Sequence, residues 1–222
     1  MRIYHGSEFI IKRPEYEKGS RNNDYGQGFY CTENIDLARG WAVRKERDGY
    51  VNIYEIDMTP LRVVDLNSPD HCVLHWITLL LDHRHFDLET PLSKEAYRYL
   101  NEYFMPDIGE ADIITGYRAD DSHFSYAQDF VNGDISVSQL NRAMKNGHTG
   151  DQVFIKSRKA FDSIEYIGSV RVSADTWYER KINRDLKAKE DYRSLSREAY
   201  VSGELYMIRI IDEEVKPDDA RL

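Results

Sequence analysis

The chain has 222 residues, of which 31% are charged and 41% hydrophobic, and it carries a net charge of −9. This composition reads as a soluble globular domain with room for an appended segment, and no apolar run approaches the roughly 18 residues of a membrane span. The acidic balance argues against general affinity for nucleic acid, and two cysteines, Cys31 and Cys72, make no disulfide framework, so a reducing cytoplasm is the expected compartment.

Arg2 to His5 reads as a short strand ended by Gly6-Ser7, with no signal-peptide core. An imidazole followed at once by Gly-Ser offers a ring and approachable backbone groups; taken alone, His5 reads as a packed, hydrogen-bonded histidine. Residues 12–24 are polar, with Pro14, Gly19 and Asn22-Asn23, and read as a loop with a small excess of positive charge from Lys12, Arg13, Lys18 and Arg21. The next stretch, Tyr25-Gly26-Gln27-Gly28-Phe29-Tyr30-Cys31-Thr32, puts two glycines ahead of an aromatic pair. Glycine there serves a positive φ or a close backbone approach. Thr32 or Asn34 can cap a helix over about 34–46 whose inner face carries Ile35, Ala38, Trp41 and Ala42. A tight turn bearing Tyr30 and a helix bearing Trp41 can form a slot for a flat ring. Alone, the same stretch reads as a glycine turn before a core strand.

Val51 to Asp57 and Leu61 to Leu66 are strand-like, separated by Thr59-Pro60. Ser68-Pro69-Asp70 opens a helix to about Phe86, and Thr90-Pro91 opens another, so residues of about 70–104 read as a helical insertion. This block holds His71, His75, His83 and His85. Without HExxH or CxxC these read as surface histidines, and no metal site is expected. Asp112 to Tyr117 is a strand. Asp120-Asp121 after it suits a helix N-terminus and could alternatively supply acid, base or ligand groups. Ser136-Val137-Ser138-Gln139 is a capping box for a helix with Lys145 in its last turn and Gly147 at its close. Strands follow from Gly150 and over Ile164 to Val172. The charge-dense stretch 175–200 suggests an exposed helix or two, so 173–222 reads as a helical extension packed on a first domain of 1–172.

Taken together, His5-Gly6-Ser7, the Gly26-Gln27-Gly28-Phe29-Tyr30 turn with Trp41 eleven residues beyond Tyr30, and Gln152-Val153-Phe154-Ile155 on a late strand resemble the ADP-ribosyltransferase superfamily in its histidine-tyrosine branch. The chain is closest to an uncharacterised bacterial family of that group, over about Met1 to Val172. The resemblance implies an α+β fold, a split β-sandwich of two small, roughly orthogonal sheets with surrounding helices. It implies NAD as co-substrate, with His5, Gly6, Ser7, Arg21, Gly28, Phe29, Tyr30, Thr32 and Trp41 at the dinucleotide and Gln152, Tyr30 and His5 in catalysis. Tyr30 and Trp41 would stack on nicotinamide, Gly6 would pair its carboxamide, and Gln152 would hold the ribose 2′-OH. Gln152 stands where glutamate is commoner, so it can accept a hydrogen bond but brings no charge and no base.

The implied activity is a glycosyltransferase one: a toxin-like mono-ADP-ribosyltransferase acting on an unidentified protein or nucleic-acid acceptor. A catalytically weak or inactive NAD-binding module and an NAD glycohydrolase are the alternatives. The sequence leaves open whether an inhibitory partner protein restrains it.

Overall fold

The structure, a computed structural model, describes residues 1–119, 121–146 and 151–222, apart from the side chains of 121–123 and 145–146. Asp120, the Asp121 side chain, and the expected Lys145 and Gly147 helix end therefore lie outside the described residues. In chain order the elements are β1 (Arg2–Ser7), β2 (Phe29–Cys31), α1 (Ile35–Ala42), β3 (Gly49–Ile56), β4 (Val63–Asp65), α2 (Val73–His83), α3 (Pro91–Tyr103), β5 (Ile113–Tyr117), α4 (Asp121–Asn132), α5 (Val137–Asn146), β6 (Asp151–Ile155), α6 (Arg158–Asp162), β7 (Ile164–Val172), α7 (Ala174–Ser196) and α8 (Met207–Asp212). The fold is α+β with two small open sheets, as the sequence led us to expect.

Two compact units share the chain. The first comprises Met1–Asp65, Asp107–Arg118 and Thr149–Leu186, and the second Leu66–Pro106, Ala119–His148 and Lys187–Leu222. Residues 173–222 are thus divided between the units, α7 running from the first into the second.

In the first unit, β1, β3 and β7 form an antiparallel sheet in the order β1-β3-β7, with His5 opposite Asn52. The second sheet runs β2-β6-β5-β4, parallel only between β4 and β5. The sheets meet where β1 passes the end of β2: Tyr4 N–H donates to Thr32 O at 2.8 Å and Thr32 N–H to Tyr4 O at 3.0 Å. Alternation along the strands then sorts the side chains. Ile3, Tyr54 and Ile56 pack with Cys31, Ile113, Val153 and Ile155 in one core, while Val51 and Val172 pack under Ala38 and Ala42 of α1 in another. Burying each such aliphatic side chain contributes about 1.5–3 kcal/mol.

Helix α1 sits almost on the backbone of β1 because two glycines permit it. A Cβ on Gly6 would stand 1.9 Å from Ala38 O, and one on Gly49 would stand 1.9 Å from Ala42 O. Asn34 caps α1, its Oδ1 accepting from Asp36 N–H and Leu37 N–H.

The regular elements among the second unit's described residues are all helices. Every residue of α2 from Val73 to Leu81 is buried, so the longest apolar run of the sequence is its central helix. Thr90 caps α3 ahead of Pro91. The capping box at α5 is reciprocal: Ser136 N–H donates to Gln139 Oε1 at 2.8 Å and Gln139 N–H to Ser136 Oγ at 3.2 Å. No helix among the described residues is long and apolar enough to cross a membrane.

Candidate functional site

The glycine turn is a small scaffold built around two side chains. Gly26 takes φ +88°, and the Tyr30 hydroxyl closes the turn by donating to Gly26 O at 2.7 Å while accepting from Tyr25 N–H at 3.1 Å. Gln27 anchors the preceding loop, its Nε2 donating to Glu17 O at 2.5 Å and to Gly19 O at 2.9 Å. Gly28 is required by contact: a Cβ there would lie 2.3 Å from the Phe154 ring and 2.4 Å from Ile155 O.

His5 joins this scaffold through the meeting of β1 and β2. Its Nδ1 donates to Tyr30 O at 2.7 Å, and its ring lies 4.4 Å from that of Phe29. The carbonyl can only accept, so Nδ1 carries the proton and Nε2 is left as an acceptor. Burial pushes the imidazole pKa below its ordinary value, with the Tyr30 carbonyl opposing, so the ring is neutral at physiological pH.

His5, Gly28, Phe29 and Tyr30 line a cavity of about 700 Å³ whose other wall is the 9–19 loop with Asn23. Of that loop's charged residues, Lys12, Arg13, Lys18 and Glu15 line the cavity, and Glu15 pairs with Lys18 at 2.5 Å. Lys12 and Arg13 have no ion-pair partner among the described residues. Phe9 and Ile10, 72% and 46% exposed, form an apolar lip. Asn52, fully buried on β3, holds the loop: its Oδ1 accepts from Ile11 N–H at 2.9 Å and its Nδ2 donates to Phe9 O at 3.1 Å. The sequence offered one signal for Asn52, an amide amid the β-branched residues of a strand.

Gln152 is buried on β6, on the same face as Phe154, which is the cross-strand partner of Tyr30 and touches its ring at 4.7 Å. Gln152 Nε2 donates to Asp24 Oδ2 at 3.3 Å and to Tyr117 O at 3.1 Å. Both neighbours are acceptors, so the amide orientation is fixed and Oε1 is presented as an unused acceptor. Asp24 is a buried carboxylate that nothing in its polar loop, Asn22-Asn23-Asp24, marked out in the sequence.

The remaining expected residues lie apart from the cavity. Gly6, Ser7, Arg21, Thr32, Trp41 and Gln152 do not line it. Ser7 Oγ is tied to the backbone of Phe9. Thr32 Oγ1 donates to Asp151 O at 2.9 Å and accepts from Asn34 N–H, which ties β2 to β6 and starts α1. Arg21 is exposed and bonds Gln27. Trp41 packs against Gly6, with the Arg118 guanidinium 5.1 Å above its ring, while Tyr30 packs on Phe154. The structure therefore gives the two aromatic residues different surroundings.

In the second unit His75 corrects one expectation. It is buried rather than at the surface, because its Nδ1 accepts from Cys72 N–H at 3.0 Å and completes the start of α2. Its ring meets His71 edge to face at 5.1 Å. Among the described residues no group of three or more His, Cys, Asp or Glu is arranged to hold a metal ion.

A family model described as protein of unknown function (DUF3990) matches residues 1–166. The chain belongs to this family. The match spans β1, the glycine turn, the helical block and β6, so His5, Tyr30 and Gln152 all fall inside it. No curated protein and no solved structure matches the chain.

Proposed function

We propose that the protein is an NAD-dependent mono-ADP-ribosyltransferase. The observation that carries this reading is the 2.7 Å hydrogen bond from His5 Nδ1 to Tyr30 O. It joins the His-Gly strand and the Gly-x-Gly-Phe-Tyr turn into one unit beside a cavity large enough for a dinucleotide portion, with two uncompensated cations in its wall.

Each residue has a chemical task on this reading. Lys12 and Arg13 oppose the pyrophosphate of NAD. His5 Nε2 accepts from a ribose hydroxyl, and the Tyr30 ring offers a flat wall to nicotinamide. Gln152 lies outside this cavity, so its task at the ribose 2′-OH, which the resemblance implies, requires the ribose end of NAD to reach past Tyr30 and Phe154 toward β6. The bond from ribose C1′ to the nicotinamide nitrogen breaks with its electron pair going to the ring, which departs neutral. The C1′ carbon gains positive character and takes a lone pair from the acceptor, which then loses a proton. Gln152 is neutral, and Asp24 stands one hydrogen bond behind it.

Incubation with NAD labelled separately on adenine and on nicotinamide, with and without cell lysate, tests the proposal. Transfer puts adenine-side label on a lysate component as nicotinamide is released. Nicotinamide release without a labelled acceptor identifies a glycohydrolase instead. A second reading, an NAD-binding module without turnover, is favoured by one observation, the absence of a carboxylate at position 152. It predicts NAD binding with no label released in either arm.

A further inference from the structure

Two buried side-chain donors among the described residues lack any hydrogen-bond partner: Trp41 Nε1 and Arg184 Nε. Native structures leave few such groups, and each one points to a missing acceptor. The two belong to adjoining positions, α1 and the stretch of α7 laid over Gly40. The Arg184 guanidinium lies over Gly40, the residue before Trp41, where a Cβ would come within 3.2 Å of Nη2. Asp185 forms an ion pair with Arg184, its Oδ1 3.9 Å from Nε, a separation too long for a hydrogen bond, so the Nε proton keeps no acceptor.

The charges around them are mostly positive, with Asp185 and Glu8 as carboxylates among them. Lys181 precedes Arg184 by three residues on α7, so the two share a helix face, and Lys181 is half-buried with no hydrogen bond or ion pair among the described residues. Arg118 lies over the Trp41 ring. Arg44, itself paired with Glu8 at 3.3 Å, adds to the field. Burial first, and then the charges of Arg44, Arg118 and Arg184, push the Lys181 pKa down, with Asp185 opposing. A chain of net charge −9 has thus gathered Lys181 and Arg184 beside two orphaned donors, with Asp185 paired to Arg184, and a further anion would supply the acceptors that the two donors lack.

We propose that Lys181, Arg184 and the Trp41 indole N–H form a binding site for a phosphate group. A tetrahedral phosphate has enough acceptor oxygens for an ammonium, a guanidinium and an indole at once, and charge-assisted bonds to it are the strong ones. Trp41 packs on Gly6, next in sequence to His5, so the site stands beside the candidate centre but outside the cavity given to NAD. Its assignment to a phosphate carried by the acceptor rests on the proposed function; the binding of phosphate does not.

The full chain, without NAD, is titrated with inorganic phosphate and with a short single-stranded oligonucleotide in 5′-phosphorylated and unphosphorylated forms. Binding is followed by calorimetry and by the Trp41 indole N–H resonance, identified by its loss in Trp41→Phe. Phosphate is expected to shift that resonance, and Lys181→Ala and Arg184→Gln are each expected to weaken phosphate-probe binding about tenfold. Tighter binding of the phosphorylated oligonucleotide assigns the site to a terminal phosphate. Equal binding of both forms, weakened by the same variants, assigns it to the phosphodiester backbone. An unmoved Trp41 resonance, or variants that bind like the parent chain, overturns the proposal. Should Arg184→Gln melt early by circular dichroism, Lys181→Ala decides, since its side chain is only half-buried. Failure of the labelled-NAD assay with phosphate binding intact would count against the transferase reading alone.

Discussion

Asp24 Oδ2 lies 3.3 Å from Gln152 Nε2, and both side chains are buried in the first unit. A carboxylate facing an amide N–H₂ is a matched pair, whereas a carboxylate facing a second one is not. Gln152→Glu alone is therefore expected to destabilise the chain, since two buried carboxyl groups would then face each other. Asp24→Asn alone loses a charge-assisted hydrogen bond of about 1.5–3 kcal/mol. The double exchange Asp24→Asn/Gln152→Glu restores a donor facing a carboxylate but leaves Tyr117 O without its donor, so it should recover part of the summed loss. Thermal unfolding of the four proteins at one pH measures this as a double-mutant cycle, and strict additivity would exclude the coupling.

Elements with local signals were legible in the sequence. Asn34 as a cap, Thr90-Pro91 as a helix start and the Ser136–Gln139 box act within a few residues of their own chain, so their residue types announce them. The strand over Ile164 to Val172 likewise follows from its β-branched content. Asp24 was not legible, because its meaning comes from Gln152 at a separation of 128 residues. Helical spacing and the resemblance set Trp41 beside Tyr30 as a stacking residue, and neither carries any sign that the guanidinium of Arg118, far along the chain, lies over its ring. The second unit, drawn from three separate stretches, was equally hidden, since nothing local marks which helices will share a core.

Tyr30 has two duties that one atom separates. Its ring packs on Phe154, and its hydroxyl bonds Gly26 O and Tyr25 N–H. Tyr30→Phe keeps the ring and frees the turn. A loss of about 1–2 kcal/mol in stability is expected from the severed bonds, read by denaturant unfolding. If the turn shapes the cavity, binding of NAD measured by calorimetry should weaken with it.

Gly6 and Gly168 make a controlled pair. A methyl on Gly6 would meet Ala38 O at 1.9 Å and Ala42 N at 2.7 Å, both backbone atoms that cannot swing aside. Gly168, on β7, has nothing within 4 Å of the same position. Gly6→Ala is expected to prevent α1 from seating on β1 and to cost more than about 3 kcal/mol, whereas Gly168→Ala should stay within about 1 kcal/mol of the parent chain. Circular dichroism melts of the two variants check this directly, and a Gly6→Ala protein as stable as the parent would contradict the close approach.

His5 makes stability depend on pH in a definite direction. Burial lowers its pKa in the folded chain from the ordinary 6.5. The unfolded chain therefore binds the proton first as pH falls. The contribution is fully present above the ordinary value and is lost as pH drops toward the folded pKa. A fall in melting temperature is expected on acidification below about pH 6.5, smaller in His5→Gln. The imidazole resonances of His5, followed by NMR, should titrate below those of an exposed histidine.

Asp129 carries the opposite sign, in the second unit. Burial first, and the nearby charge of Asp134 second, raise its carboxyl from 3.8 to about 6. The folded chain here holds the proton more tightly than the unfolded one. Its favourable contribution is present below about pH 3.8 and is lost as pH rises through about 6. Asp129→Asn mimics the protonated form and removes that loss. The variant should melt several degrees above the parent at about pH 7.5 and close to it at about pH 4. Paired thermal scans at the two pH values separate this from a general effect of the substitution, because only a titrating carboxyl makes the difference between the proteins vanish on acidification.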